Sequence, residues 1–289
     1  MKIANLVFHV LFLMALGFLF NDELYSLALS WIRDSNYQHG FFVLAMSIFL
    51  ILYQFKKEPR NLTTGWADKE NWKKNFVVLV LIVCFYFAGF YYGISYLNLI
   101  TFLLCLKFWS VFLVGRQSTH IFNFPLFYIF LVLPLPGLAY FTIYLQRYTA
   151  KYVSAFMLKF DHYFAPGYYQ MWDEGNFLHL PNFSFEIVPE CTGIHSFLTL
   201  LALMVLFLYF LNLKKYQKVM VGLFCVPISF VGNFLRILTL VFIAFGLGQE
   251  AALKFWHYFG GFFFFAISLG LEFLIIALFQ LLNKLSKNK

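Results

Sequence analysis

Long apolar segments separated by short polar ones constrain this chain more than any other feature. A helix needs about 20 mostly apolar residues to cross a bilayer. The segments that meet this requirement are Ile3–Phe20, Gly40–Phe55, Phe76–Ser95, Leu97–Val114, Ile121–Tyr140, Thr192–Leu211, Val219–Phe245 and Trp256–Leu282. The sequence therefore predicts an all-α polytopic membrane protein with about eight transmembrane helices, built as a single domain over residues 1–289.

The small number of charges agrees with this prediction and fixes an orientation. Charged residues make up 12% of the 289 residues, about half of the roughly 25% found in soluble domains. This excludes a soluble enzyme and a disordered chain. With a cytoplasmic N-terminus, fourteen Lys and Arg residues fall on the inner side and five on the outer side. Because basic residues flank spans on the cytoplasmic side, we predict that both termini are inside. The net charge of +8 then reports topology and predicts no nucleic-acid partner.

The long outer segment between the fifth and sixth spans, residues 141–190, has its own pattern. Apolar residues alternate with Gln146, Arg147, Lys151 and Lys159 in its first part, which predicts an amphipathic helix at the membrane interface. Glycines, prolines and the alternating run Phe183–Ile187 in its second part predict a small hairpin. A loop of this length is typical of a lid or a binding element, although a surface loop with no role fits its length equally well.

Arg236 lies inside the seventh predicted span, one helical turn after Asn233. An arginine at the centre of a span costs about 2.5–3.5 kcal/mol on insertion scales, so it is normally paired or faces a polar cavity. Arg236 therefore indicates either a functional site or a contact that ties two helices together.

Cys191 opens the sixth predicted span on the outer side, and His257 opens the eighth on the same side. Together with Arg236 they reach one depth from three different spans. A thiol, an imidazole and a guanidinium suit acyl transfer: the thiolate attacks a carbonyl, histidine exchanges protons and arginine stabilises the oxyanion. Taken alone, Cys191 fits an incidental or lipidated cysteine better, and His39 at the start of the second span is a possible fourth participant.

The sequence patterns that would indicate metal binding, phosphate binding or transport are weaker than those for acyl transfer. The histidines and cysteines lack the spacing of a metal site, so we predict neither a metal nor another cofactor. There is no glycine-rich phosphate loop followed by lysine. Glu272 is the one acid within a predicted span, and it keeps a transporter as an alternative.

Taken together, five short motifs resemble those of the exosortase/archaeosortase family of membrane transpeptidases, in its exosortase-like branch. In chain order they are His39-Gly40-Phe41, Pro134-Leu135-Pro136, Glu190-Cys191-Thr192-Gly193-Ile194, Asn233-Phe234-Leu235-Arg236-Ile237, and His257 with Gly261. Two departures concern substrate preference: Glu190 directly precedes the cysteine, and His195 stands where an arginine is frequent in the family.

The resemblance implies a cysteine transpeptidase whose catalytic residues are Cys191, Arg236 and His257, supported by His39, Glu190 and Asn233. Its partners would be the lipid bilayer, secreted proteins with a C-terminal sorting signal (a short motif, a transmembrane helix and a basic tail) and a lipid or glycan acceptor. It implies a multi-pass protein of the bacterial cytoplasmic membrane, with the active site on the extracytoplasmic side. The alternative is a transporter, or an accessory protein of polysaccharide export without peptidase activity.

Overall fold

The computed structural model describes residues 3–57, 72–181, 183–255 and 259–287. The chain divides into two compact units, residues 1–136 and 137–289. The boundary falls directly after the Pro134-Leu135-Pro136 motif.

Among its described residues, the first unit contains six α-helices. They are α1 (Ile3–Leu19), α2 (Asn21–Arg33), α3 (Gly40–Lys57), α4 (Trp72–Tyr92), α5 (Ser95–Val114) and α6 (Asn123–Phe130). Only Gly93 and Ile94 separate α4 from α5, and Gly93 has φ 64°, a left-handed conformation that glycine adopts without steric cost. Helices α4 and α5 therefore form a tight hairpin, in agreement with the predicted spans Phe76–Ser95 and Leu97–Val114, which are separated by one residue.

Two hydrogen bonds hold the segment after α6 against the end of α2 in the first unit. The indole Nε1 of Trp31 donates to the carbonyl of Val132 at 3.1 Å. The backbone N–H of Leu135 donates to the Tyr37 hydroxyl at 2.8 Å. Trp31 and Tyr37 are both buried, so these bonds satisfy backbone groups that have left the helix.

The fifth predicted span, Ile121–Tyr140, is not one continuous helix. Helix α6 ends at Phe130, and the next helix begins at Leu138. Pro134 and Pro136 lie between them. Proline lacks a backbone N–H and disfavours helical geometry in the preceding residue, so an apolar run containing two prolines does not continue as a helix.

Within the described ranges, five helices are long and apolar enough to cross a membrane, or six if the bent pair α1–α2, with an angle of 71°, is one span. The five are Ser35–Lys57, Asn75–Tyr92, Ser95–Val114, Lys215–Leu247 and Gly261–Ser286. Ile194–Phe210 is apolar but shorter. The all-α polytopic membrane fold is therefore confirmed, while the number of spans and the side on which the termini lie stay predictions.

In the part of the second unit that the structure describes, five α-helices are combined with a small sheet. The helices are α7 (Leu138–Phe164), α8 (Ile194–Phe210), α9 (Lys215–Leu247), α10 (Gln249–Phe255) and α11 (Gly261–Lys287). The strands β1 (Trp172–Glu174), β2 (Phe177–Leu180) and β3 (Phe183–Glu186) form an antiparallel sheet in the order β1-β2-β3. The predicted helix and hairpin within residues 141–190 are thus confirmed, with a third strand added; the position of α7 at the membrane interface stays a prediction.

Helix α9 is the centre of the second unit and packs against α7, α8, α10 and α11. One apolar cluster joins the later part of α9 to α7 and the sheet, and it contains Cys191. A second cluster joins the earlier part of α9 to α8 and α11. Near the start of α9, the side-chain amides of Gln217 and Asn283 exchange two hydrogen bonds, at 3.0 and 2.8 Å, which tie α9 to the last part of α11.

Candidate active site

Cys191 ends a single 3-10 turn, Pro189–Cys191, just before α8 begins at Ile194. Its backbone N–H donates to the carbonyl of Val188 at 2.8 Å. Thr192 closes the turn because its hydroxyl donates to the carbonyl of Pro189 at 2.8 Å. The residue is 3% exposed, so its thiol lies in an environment that is largely shielded from bulk solvent.

The turn at Cys191 is attached to α9 by Asn233. The side-chain Nδ2 of Asn233 donates to the backbone carbonyl of Cys191 at 2.5 Å, and the bond is buried. Gly193 has φ 85°, and a Cβ atom there would lie 3.3 Å from Asn233 Cβ and 3.3 Å from Phe230 Cδ1. Glycine therefore allows the turn to approach α9 closely enough for the hydrogen bond to form.

Arg236 follows Asn233 by one turn on α9, and only 8% of it is exposed. Residues three apart on an α-helix lie on the same face, so the guanidinium and the amide that holds Cys191 occupy neighbouring positions. A Cβ atom on Gly260 would lie 3.8 Å from Arg236 Nε. Arg236 therefore lies next to the backbone of the segment that follows His257 in sequence.

Gln146 on α7 binds the segment just before the Cys191 turn. Its Nε2 donates to the carbonyl of Ile187 at 2.7 Å, and the residue is buried. Carboxamides from two helices, Gln146 and Asn233, thus bind the carbonyls of Ile187 and Cys191, which bracket the turn.

We predicted Gln146 as part of a polar interfacial face together with Arg147; the structure buries Gln146 and exposes Arg147. An uncharged side chain among the charged ones was the only signal for this difference.

A mostly apolar cavity of about 270 Å³ lies beside Cys191. The cavity is lined by Cys191 itself, by residues 185–188 before it, and by Ile237, Leu240 and Ala244 on α9. Apolar cavities with few polar groups are typical binding sites for ligands. The cavity therefore gives an apolar group a place next to the thiol.

The other predicted site residues have different outcomes. His257 lies outside the described residues, as does the side chain of Glu190. His39 precedes α3 in the first unit, whereas Cys191, Asn233 and Arg236 belong to the second. Glu272 on α11 is fully buried, and neither of its carboxylate oxygens has a hydrogen-bond partner among the described residues. In the described part of the chain, no three His, Cys, Asp or Glu residues cluster so that they could hold a metal ion.

Comparisons with known proteins give one extensive match and one partial match. The family described as transmembrane exosortase matches residues 31–274, a range that includes every site residue named above. A probable archaeosortase E from Methanocaldococcus jannaschii is 37% identical over 68 residues, which cover 24% of this chain and 34% of that protein. The match thus spans about a third of the length of this curated relative. No solved structure matches the chain.

Proposed function

This chain belongs to the transmembrane exosortase family, and from this premise we propose that it is a membrane-embedded cysteine transpeptidase. In this proposal it cleaves the C-terminal sorting signal of secreted proteins at the extracytoplasmic face of a bacterial cytoplasmic membrane. It then transfers the shortened proteins to a lipid or glycan acceptor. Cys191 is the nucleophile, and Arg236 and His257 complete the catalytic group.

The hydrogen bond between Asn233 and the Cys191 carbonyl is the observation that carries this proposal. It joins two motifs that lie 42 residues apart in the sequence. The carbonyl that Asn233 binds belongs to the cysteine in the turn just before α8, whereas Cys84, Cys105 and Cys225 lie inside α4, α5 and α9. Arg236 lies one turn further along α9, so the same helix that orients the cysteine also carries the proposed oxyanion donor.

The first half of the proposed reaction forms a thioester. The Cys191 thiol gives its proton to the imidazole of His257, and the thiolate sulfur attacks the carbonyl carbon of the scissile peptide bond. Arg236 stabilises the negative charge that develops on the carbonyl oxygen. The C–N bond then breaks, the leaving amine takes the proton from His257, and the shortened substrate stays bound to Cys191 as a thioester.

The second half transfers the shortened protein. An amine or hydroxyl group of the acceptor attacks the thioester carbonyl and gives its proton to His257. The C–S bond breaks, and the Cys191 sulfur is released and reprotonated. The low exposure of Cys191, 3%, supports this order because restricted access of water disfavours hydrolysis of the thioester before the acceptor arrives.

The test is co-expression with a secreted protein from the same genome that ends in a short motif, an apolar helix and a basic tail. We expect Cys191→Ala and Cys191→Ser to abolish shortening of this protein, measured by intact mass. Cys84→Ala is the matched control, because Cys84 is an exposed cysteine in the first unit, and it should shorten the protein at the normal rate. Normal shortening by Cys191→Ala would disprove the nucleophile assignment and favour the transporter or accessory alternative.

A further inference from the structure

Strand β3 leads directly to Cys191 and forms one edge of the sheet. The sheet order is β1-β2-β3, so among the described strands β3 pairs with β2 alone. Three residues after the end of β3, the 3-10 turn that contains Cys191 begins at Pro189. An edge strand presents a row of backbone N–H and C=O groups that an extended peptide can pair with.

The register shows which backbone groups of β3 face this edge. Ile187 N–H donates to the Asn176 carbonyl at 2.8 Å, in line with the pairing of Glu186 with Phe177. Inter-strand bonds in an antiparallel pair come from alternate residues. Because the N–H of Ile187 faces β2, the backbone groups of Phe185, two residues earlier, face β2 as well, and the N–H and C=O groups of Ser184 and Glu186 point to the open edge.

The cavity beside Cys191 reaches this edge at Glu186. Successive side chains of a strand point to opposite faces of the sheet, so a cavity over one face would be lined by alternate residues. Phe183, Phe185 and Glu186 of β3, then Ile187 and Val188, line the cavity together with Cys191. The cavity therefore covers the face of β3 that carries Phe183 and Phe185, reaches the open edge at Glu186, and extends to Cys191.

We propose that the peptide substrate binds as an additional strand along the open edge of β3, with its backbone hydrogen-bonded to Ser184 and Glu186. This arrangement carries the scissile carbonyl to Cys191 and directs an apolar side chain against Ile237 and Leu240 on the opposite wall. The inference rests on the proposed function. It defines the substrate class as an extended peptide with an apolar residue near the cleaved bond, recognised largely through its backbone.

The test uses the full chain in detergent and short peptides of alternating alanine and leucine that end in a chloromethyl ketone. The Cys191 sulfur displaces chloride from this group, and the labelling rate is followed by mass spectrometry. Each amide of the peptide is N-methylated in turn. We expect methylation at alternate amides to slow labelling about fivefold, which corresponds to the loss of one net hydrogen bond, while methylation at the amides between them slows it less than about twofold.

The matching change in the protein is Ser184→Pro, which removes the N–H at the open edge. Proline is tolerated on edge strands where the N–H is not part of the ladder, so this variant should fold. Ser184→Ala is its comparison because it also loses the hydroxyl that bonds His179 Nδ1 at 2.6 Å but keeps the N–H. We expect Ser184→Pro to label at least about five times more slowly than Ser184→Ala with the peptide, and equally fast with iodoacetamide.

The outcomes separate the two proposals. Equal effects of N-methylation at every amide, or equal peptide labelling of the two Ser184 variants, would overturn strand pairing even if sorting depends on Cys191. Failure of every peptide to label Cys191 while iodoacetamide labels it would overturn peptide binding at this edge. Shortening of the tailed protein by Cys191→Ala in cells would instead overturn the proposed function.

Discussion

Replacing Asn233 by alanine tests how the structure positions the nucleophile. The change removes the Nδ2 donor that binds the Cys191 carbonyl at 2.5 Å. That carbonyl is then left in a buried place without this donor, which costs about 1–3 kcal/mol. If this penalty raises the free energy of the conformation in which the Cys191 turn lies against α9, the population of that conformation decreases by about 5- to 150-fold, because each 1.4 kcal/mol corresponds to a factor of ten.

Two measurements distinguish positioning from a loss of folding. We expect Asn233→Ala to reduce the rate of substrate shortening by about one to two orders of magnitude, mainly through kcat, since a misplaced nucleophile slows the chemical step. The rate at which iodoacetamide alkylates Cys191 should change as well, because it reports the surroundings of the thiol directly. Thermal unfolding in detergent shows how much of the effect is general destabilisation.

Thr239→Val is the matched control for this experiment. Thr239 lies on the same helix, and its hydroxyl bonds only locally, to the carbonyl of Leu235 at 2.8 Å. We expect this variant to retain the normal rate of shortening and the normal alkylation of Cys191. A normal shortening rate in Asn233→Ala, or an equal loss in both variants, would refute the argument that Asn233 positions the cysteine.

Gly193→Ala should destabilise the protein by at least about 1–2 kcal/mol, the cost of a left-handed residue with a side chain, whereas Gly246→Ala in open space on α9 should not; thermal unfolding compares them. Gln146→Leu should cost about 1–3 kcal/mol by the same method because it removes a buried donor; an unchanged melting temperature would contradict this. The pKa of Asp161 is lowered mainly by the N–H of Gly167, then by that of Tyr169. Because the pKa of Asp161 is lower in the folded protein than in the unfolded chain, where it is near 3.9, the ionised carboxylate stabilises the turn after α7 at pH values above about 3.9. This stabilisation is lost as the pH falls through the pKa of the folded protein. Hydrogen exchange of the Gly167 amide should therefore be constant from about pH 5 upward, after correction for intrinsic rates, and rise below about pH 4; Asp161→Asn should remove that rise.

The residues of the candidate site could be chosen from the sequence, but their partners could not. Asn233 and Arg236 are three apart, and helical periodicity alone places them on one face. That the amide binds the Cys191 carbonyl depends on the approach of two segments 42 residues apart. Such a contact is decided by packing around Gly193, where no side chain intervenes.

Gln146 shows that the same spacing of polar residues along a helix is compatible with an exposed polar face and with a buried hydrogen bond. Its spacing within α7 fits the polar face of an interfacial helix, and its lack of charge is the only sign in the sequence that it turns inward. The structure buries it because the carbonyl of Ile187 leaves the sheet and needs a donor. The requirement arises in one segment and is met by another, so neither segment predicts it alone.

The amino-acid sequence by itself determined that this chain forms apolar helices, because a bilayer leaves backbone groups no partner except one another. It also determined which few polar residues are costly enough within those helices to indicate a function. Only the tertiary structure decided how these residues meet: two carboxamides bracketing the cysteine turn, and an open strand edge beside it. The physical reason is that apolar burial is non-directional, whereas each hydrogen bond at the site requires one donor and one acceptor at a defined distance.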